Sequence, residues 1–261
     1  MDASLIASLE SSLKALKLPT ILSVYNKCAQ NAVEEQASYE QYLLHLASRE
    51  LEQRHVNRVQ YLLRQAKFPR TKTISDFDFK QAGLQREPII QLCQGYFLQD
   101  MTNIILYGQP GTGKTHLALA IGRELCLNNY KVVFFTGCEL VQQLVRAKNN
   151  LALSNYFKKL LRYDLVIIDE LGYIPFDKTE SDLLFQLISD RYERKSLLIT
   201  TNLSFSEWDV MFKDKMIASA AIDRLVHYSQ IFKFEKQESY RTKVAKKRSK
   251  GGNINKGKVT D

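Results

Sequence analysis

One short string restricts the possible folds of this chain more than any other: Gly108-Gln109-Pro110-Gly111-Thr112-Gly113-Lys114-Thr115. An apolar run, Asn103-Ile104-Ile105-Leu106-Tyr107, precedes it, and a helix-like stretch from His116 to Leu127 follows. The spacing is G-x-x-x-x-G-K-T in the strand–loop–helix setting that a phosphate-binding loop needs. The glycines let backbone N–H groups converge on phosphate oxygens, and the helix N-terminus behind the loop adds partial positive charge. Lys114 is placed to reach β- and γ-phosphates, and the Thr115 hydroxyl to ligate Mg²⁺. Gln109, Pro110, Thr112 and His116 complete the run expected around a bound nucleoside triphosphate.

Around this loop the chain alternates short apolar runs with amphipathic stretches. Strands are expected at 103–108, 131–136, 164–169, 196–202 and 230–235, each rich in Ile, Val, Phe or Leu as fully buried parallel strands are. Helices are expected at 115–128, 139–149, 154–162 and 179–194. The fold class is therefore α/β, a three-layer sandwich around a five-stranded parallel sheet. Residues 1–67 read as all helix. Leu5, Leu9, Leu13 and Leu16 recur at helical spacing until Leu18-Pro19 breaks the run. A second helix is expected from Thr20 to Gln36. A third, opened by the capping box Ser38-Tyr39-Glu40-Gln41, is expected to reach Lys67 with Leu43, Leu46, Val56, Val59, Leu62 and Leu63 as its apolar stripe. Residues 71–79 read as a linker anchored by Phe77 and Phe79, and 86–98 as a further helix. The division that follows is a helical domain at 1–70, an α/β domain at 71–240 and a tail at 241–261.

The buried strand Asp164-Leu165-Val166-Ile167-Ile168-Asp169-Glu170 delivers two carboxylates at its C-terminal end, where open α/β sheets place ligands. Asp169 is placed to hold the Mg²⁺ shell, and Glu170 to orient and deprotonate an attacking water. The next strand ends in Thr200-Thr201-Asn202, whose amide can hydrogen-bond a γ-phosphate oxygen or that water. Arg224, in Ala220-Ala221-Ile222-Asp223-Arg224-Leu225, reads either as a surface charge or as an arginine finger reaching a neighbouring subunit.

The net charge is +9, and residues 241–261 supply +7 of it through eight Lys or Arg against one Asp. This segment, including Lys246, Lys247 and Arg248, reads as a disordered basic arm, either a tether for the phosphate backbone of nucleic acid or a solubilising terminus. A second basic run lies on the third helix and beyond it: Arg49, Arg54, Arg58, Arg64, Lys67, Arg70 and Lys72, with no acidic residue between Gln53 and Ser75. It is either a solvated helix face or a DNA contact. Cys28, Cys93, Cys126 and Cys138 form no C-x-x-C pair, so reduced core thiols are expected rather than zinc or disulfides. Neither a secretory leader nor a membrane-length apolar run is visible, and a cytoplasmic location is the expectation.

Several strings taken together resemble a known family: the phosphate loop with His116-Leu117-Ala118, Asp169-Glu170-Leu171-Gly172-Tyr173-Ile174-Pro175, Arg191-Tyr192-Glu193-Arg194-Lys195-Ser196, Thr200-Thr201-Asn202, Ser206-Glu207-Trp208, Asp223-Arg224-Leu225-Val226-His227 and Glu238-Ser239-Tyr240-Arg241. Their order and spacing, across roughly residues 38–243, are similar to the IstB-type ATP-binding helpers of bacterial insertion sequences, AAA+ ATPases close to the DnaC-type helicase loaders. Gln237, where the family often has Gly, and Tyr228, where it often has His, depart from the pattern. The resemblance implies that Gly108, Gly111, Gly113, Lys114 and Thr115 form Walker A, and Asp169 and Glu170 form Walker B. It implies that Asn202 is sensor 1 and Arg224 an intersubunit finger. The implied activity is hydrolysis of ATP with Mg²⁺, stimulated by oligomerisation and by DNA or a partner. The implied partners are double-stranded DNA, the transposase of the same element and further copies of the chain. A DnaC-like replicative helicase loader is the alternative. A P-loop kinase would need an acceptor lid, a GTPase an Asn-Lys-x-Asp string, and neither is visible. A non-hydrolysing nucleotide switch would not need Lys114, Glu170 and Asn202 together.

Overall fold

The computed structural model describes residues 3–173 and 175–235. They fall into two compact units that divide between Tyr61 and Leu62.

The first unit is helical: α1 (Ala3–Ala15), α2 (Pro19–Glu34) and most of α3 (Tyr39–Ala66). Ser38 and Gln41 make the expected capping box at the start of α3, with Gln41 N–H donating to Ser38 Oγ at 3.3 Å and Ser38 N–H to Gln41 Oε1 at 2.8 Å. Pro19 opens α2, but Leu18 at its N-cap carries no capping side chain. Glu50 of α3 takes that place: its Oε2 accepts the N–H groups of Thr20 at 2.9 Å and Ile21 at 3.1 Å. Its Oε1 accepts from Arg54 Nε at 2.8 Å, and Arg54 Nη2 donates to the carbonyl of Lys17, just past α1, at 2.7 Å. One carboxylate–guanidinium pair thus closes the end of one helix and the start of the next. The apolar stripe expected on α3 is only partly buried. Leu46 and Leu62 are inside, whereas Leu43 and Val56 are 64% and 44% exposed.

The second unit begins at Leu62, and Leu62 and Ala66 near the end of α3 are buried in its core. After the short α4 (Phe79–Ala82) and α5 (Arg86–Gln94), strands and helices alternate as β1 (Asn103–Tyr107), α6 (Lys114–Leu127), β2 (Val132–Thr136), α7 (Gly137–Asn149), α8 (Leu153–Leu160), β3 (Leu165–Leu171), α9 (Lys178–Arg191), β4 (Ser196–Thr201), α10 (Trp208–Phe212), α11 (Lys215–His227) and β5 (Ser229–Lys233). The five strands are all parallel, in the order β2-β3-β4-β1-β5.

The period of two along each strand builds the two core layers. Val132, Phe134, Leu165, Ile167 and Leu198 face α5 and α6 with Leu117, Ile121 and Leu125. Val133, Phe135, Val166, Ile168, Leu197 and Ile199 face the other layer with Leu144, Leu184, Leu187, Trp208 and Leu225. Because both faces are covered, these strands read as unbroken apolar runs. The exception is β5. Expected to be fully buried, it is a sheet edge paired only with β1, and Ile231 is 45% exposed. β2, the other edge, is buried from Val132 to Phe135, so the exposure of β5 reflects sparser cover of its faces rather than edge position alone.

Two residues lock the lower end of the sheet. Asn103 donates Nδ2–H to Leu225 O at 3.2 Å and accepts Leu197 N–H on Oδ1 at 2.9 Å, tying β1 to α11 and β4. Arg191 is buried and donates to the carbonyls of Leu160 at 2.9 Å and Ser196 at 2.7 Å. Burial pushes its pKa down to about 9.

Candidate active site

The cleft lies at the C-terminal ends of β1, β3 and β4, with a volume of about 1240 Å³. Gly108–Thr115 crosses from β1 into α6. Gly111 and Gly113 hold φ of 80° and 102°, values that a side chain rarely adopts, so these turns need glycine. Phe77 Cε2 lies 3.1 Å from where a Cβ on Gly113 would sit, so the linker packs directly on the loop. Thr112 Oγ1 braces the loop by donating to Gln109 O at 2.9 Å. Lys114 is the first residue of α6, and its ammonium donates to Gly108 O at 2.6 Å and Gln109 O at 2.9 Å across the mouth of the loop.

The helix behind the loop sits close against the sheet. A Cβ at Gly122 would stand 2.7 Å from Ile167 Cδ1 and 3.0 Å from Phe68 Cζ. That approach brings Thr115 to β3, where its Oγ1 donates to Asp169 Oδ1 at 2.9 Å. Asp169 is 4% exposed, and its Oδ1 also accepts from Thr200 Oγ1 at 2.6 Å. The neighbouring Glu170 is exposed, lines the cleft and holds φ of 58°. Asn202 follows β4 and lines the same cleft. Residues 110–115, Asp169, Glu170 and Asn202, far apart in the chain, therefore converge on one volume.

The linker supplies the opposite wall. His116 Nε2 lies 3.1 Å from Thr73 O, in the tautomer that donates to it, and burial lowers the imidazole pKa below its ordinary value. The Phe77 ring meets Phe79 at 4.9 Å, His116 at 5.4 Å and Phe234 at 6.4 Å between centroids, all edge-on. Phe77 lines the cleft, whereas Phe79 and α5 do not.

The remaining sequence candidates divide between the cleft and other surfaces. Arg224 does not line the cleft; its guanidinium rests 4.7 Å from the centroid of the Phe185 ring on α9. Lys67 and Arg70, read as DNA contacts, line the cleft. Arg58 and Arg64 are exposed on α3, and Arg54 is held by Glu50. Lys246, Lys247, Arg248 and the expected disordered tail lie outside the described residues. Sequence reasoning passed over Thr200, although two threonines ending an otherwise apolar strand were a visible signal.

For the expected Mg²⁺ the donor set fits. A hydroxyl and a carboxylate, hard oxygen donors, stand side by side beneath the phosphate loop. Among the described residues no cluster of His, Cys, Asp or Glu could hold a metal by itself.

The family described as IstB-like ATP binding protein matches residues 11–249. The chain belongs to this family. Among IstB-like relatives, it is 39% identical over 241 residues to an insertion sequence ATP-binding protein of Sinorhizobium fredii, covering 92% of this chain and 80% of that one. It is 37% identical over 227 residues to the protein named as the ATP-binding protein of insertion sequence IS5376 in Geobacillus stearothermophilus, covering 87% and 90%. Among solved structures, AMPPCP-bound DnaA from Aquifex aeolicus superposes with a TM-score of 0.55 at 19% identity, over 72% of this chain and 57% of that chain. The chain thus spans little more than half of that DnaA. The fold of this IstB-like chain is that of the AAA+ proteins. No helix among its described residues is long and apolar enough to cross a membrane.

Proposed function

We propose that this chain is an ATPase that assembles on double-stranded DNA and serves the transposase of an insertion sequence. The observation that carries the ATPase reading is the convergence of Lys114, Thr115, Asp169 and Glu170 on one cleft, with Thr115 bonded to Asp169. The loop N–H groups and Lys114 bind the phosphates, Lys114 exchanging its present carbonyl partners for phosphate oxygens. Thr115 and Asp169 would hold Mg²⁺, which when bound would offset charge on the phosphate oxygens. Glu170 accepts a proton from water as the water oxygen bonds to the γ-phosphorus. The bridging P–O bond breaks, leaving ADP and phosphate. Asn202 orients the γ-phosphate or the water.

Arg224 lies outside its own chain's cleft, which supports a role at the cleft of a second copy. Such a finger is worth roughly 10³–10⁵ in turnover. Support for DNA comes from the charge of +9, from the exposed Arg58 and Arg64, and from the insertion-sequence names of the relatives. Support for the transposase comes from those names and the family alone.

The test is phosphate release against protein concentration, with and without duplex DNA. The expected result is a rate per subunit that climbs with both. A rate indifferent to both would contradict assembly on DNA. Replacing Arg58 and Arg64 by alanine should reduce the slope of log K against log salt by about 0.9 for each phosphate that these side chains neutralise. An unchanged slope would exclude them from the DNA-binding surface.

A further inference from the structure

We infer that Thr200 is a positioning residue for hydrolysis, its single hydroxyl setting the backbone of Glu170 while it anchors Asp169. The inference rests on the reading of Glu170 as the carboxylate that activates water.

In the pairing of β3 with β4, Ile168 stands opposite Ile199 and Leu171 opposite Thr201. Asp169 and Glu170 therefore share the space opposite Thr200, which is the arrangement of a β-bulge. In a regular strand, consecutive side chains point to opposite faces, and Asp169 and Glu170 would diverge. Here the bulge, with Glu170 at φ 58°, lets both carboxylates serve one cleft. That conformation is unfavourable for a residue bearing a Cβ, so something must hold it. The shifted register removes the usual ladder acceptor for Glu170 N–H, and Thr200 Oγ1 accepts it instead at 2.9 Å. The same oxygen donates to Asp169 Oδ1 at 2.6 Å.

The roles are fixed by chemistry. An amide can only donate, an ionised carboxylate can only accept, and a hydroxyl has one proton and two lone pairs to meet both. Thr200 is completely buried, so no solvent water replaces its hydroxyl. A threonine at this register position thus couples the residue on Mg²⁺ duty to the residue on water duty.

The experiment uses the full chain and compares Thr200→Val, Thr200→Ala and Thr200→Ser. Each is assayed for steady-state ATP hydrolysis and for the Kd of a non-hydrolysable ATP analogue. Valine keeps the shape and loses the hydroxyl, alanine loses both, and serine keeps the hydroxyl. The expected result is a fall in kcat on the order of 10²-fold for valine and alanine, with analogue affinity within about threefold of wild type and serine close to wild type in both. A kcat for valine or alanine within about threefold of wild type would overturn the inference, as would a serine variant as impaired as alanine. Glu170→Gln is run beside them. If it hydrolyses like wild type, the reading of Glu170 itself has failed; if it is inactive while the valine variant turns over normally, only the role of Thr200 has.

Discussion

Replacing Glu50 by alanine should loosen the helical unit by about 2 kcal/mol. The carboxylate is 4% exposed and accepts two N–H groups at the start of α2, a helix whose own N-cap residue, Leu18, offers nothing. Losing an N-cap costs roughly 0.5–2 kcal/mol, and hydrogen bonds to a charged group fall in a similar range. The ion pair with Arg54 adds little beyond this, because the Arg54 side chain is 53% exposed and water takes over its solvation. At a factor of ten for each 1.4 kcal/mol, the amides of α2 should exchange with deuterium about 30-fold faster. Hydrogen-exchange mass spectrometry on peptides covering 19–34 reads this directly. A change below about threefold would refute the capping argument. The clasp also carries a pH signature. Burial pushes the Glu50 carboxyl up, but the hydrogen bonds from Arg54, Ile21 and Thr20 outweigh it and leave its pKa below the ordinary value. Its stabilisation is therefore complete above the unfolded carboxyl pKa of about 4.3 and is lost as pH falls through the lower folded value. Glu50→Gln should flatten protection of α2 across that window, and an undiminished pH dependence would contradict the assignment.

Gly113→Ala places a side chain at φ 102° and pushes on Phe77, so strain of about 1–3 kcal/mol in the phosphate loop should raise the Kd for ATP by roughly 10–100-fold by calorimetry. An unchanged Kd would mean that the loop does not need this conformation. Burial pushes the Cys93 and Cys126 thiols up to about 12, so at pH 8 a thiol reagent should label them only after unfolding, whereas Cys28 and Cys138 are partly accessible. Labelling of Cys126 in the folded chain as fast as in denaturant would contradict its place in the core.

How far the sequence carries depends on whether a signal is local. Gly108 to Thr115, the capping box at Ser38 and the apolar runs of β1 to β4 each hold their meaning within a few residues, and the structure has them within a residue or two of expectation. β5 reads like the inner strands because Ile231, Phe232 and Phe234 make a short apolar run, and only the structure shows how thinly its faces are covered. The stripe on α3 fails at Leu43 and Val56 because periodicity shows which residues share a face, not whether anything packs on that face. Arg54 reads as one charge in a basic run, whereas the structure also pairs it with the Glu50 carboxylate and the Lys17 carbonyl. Lys67 and Arg70 belong to the same run by sequence, yet the linker takes them to the cleft. Thr200 was hidden for a related reason: its two partners lie 30 and 31 positions away, and only the register of β3 on β4 brings them to it.

The central claim, an ATPase site completed by a neighbouring copy, is tested most directly by mixing two inactive variants. Lys114→Ala removes the phosphate-binding cation but keeps Arg224; Arg224→Ala does the reverse. Each alone should hydrolyse ATP at a small fraction of the wild-type rate. Mixed in equal amounts on duplex DNA, random assembly gives roughly a quarter of interfaces an intact loop facing an intact arginine, and about that share of wild-type turnover should return. If the mixture stays as inactive as its components while both variants still assemble, Arg224 does not act across subunits, and the account of a shared site is wrong.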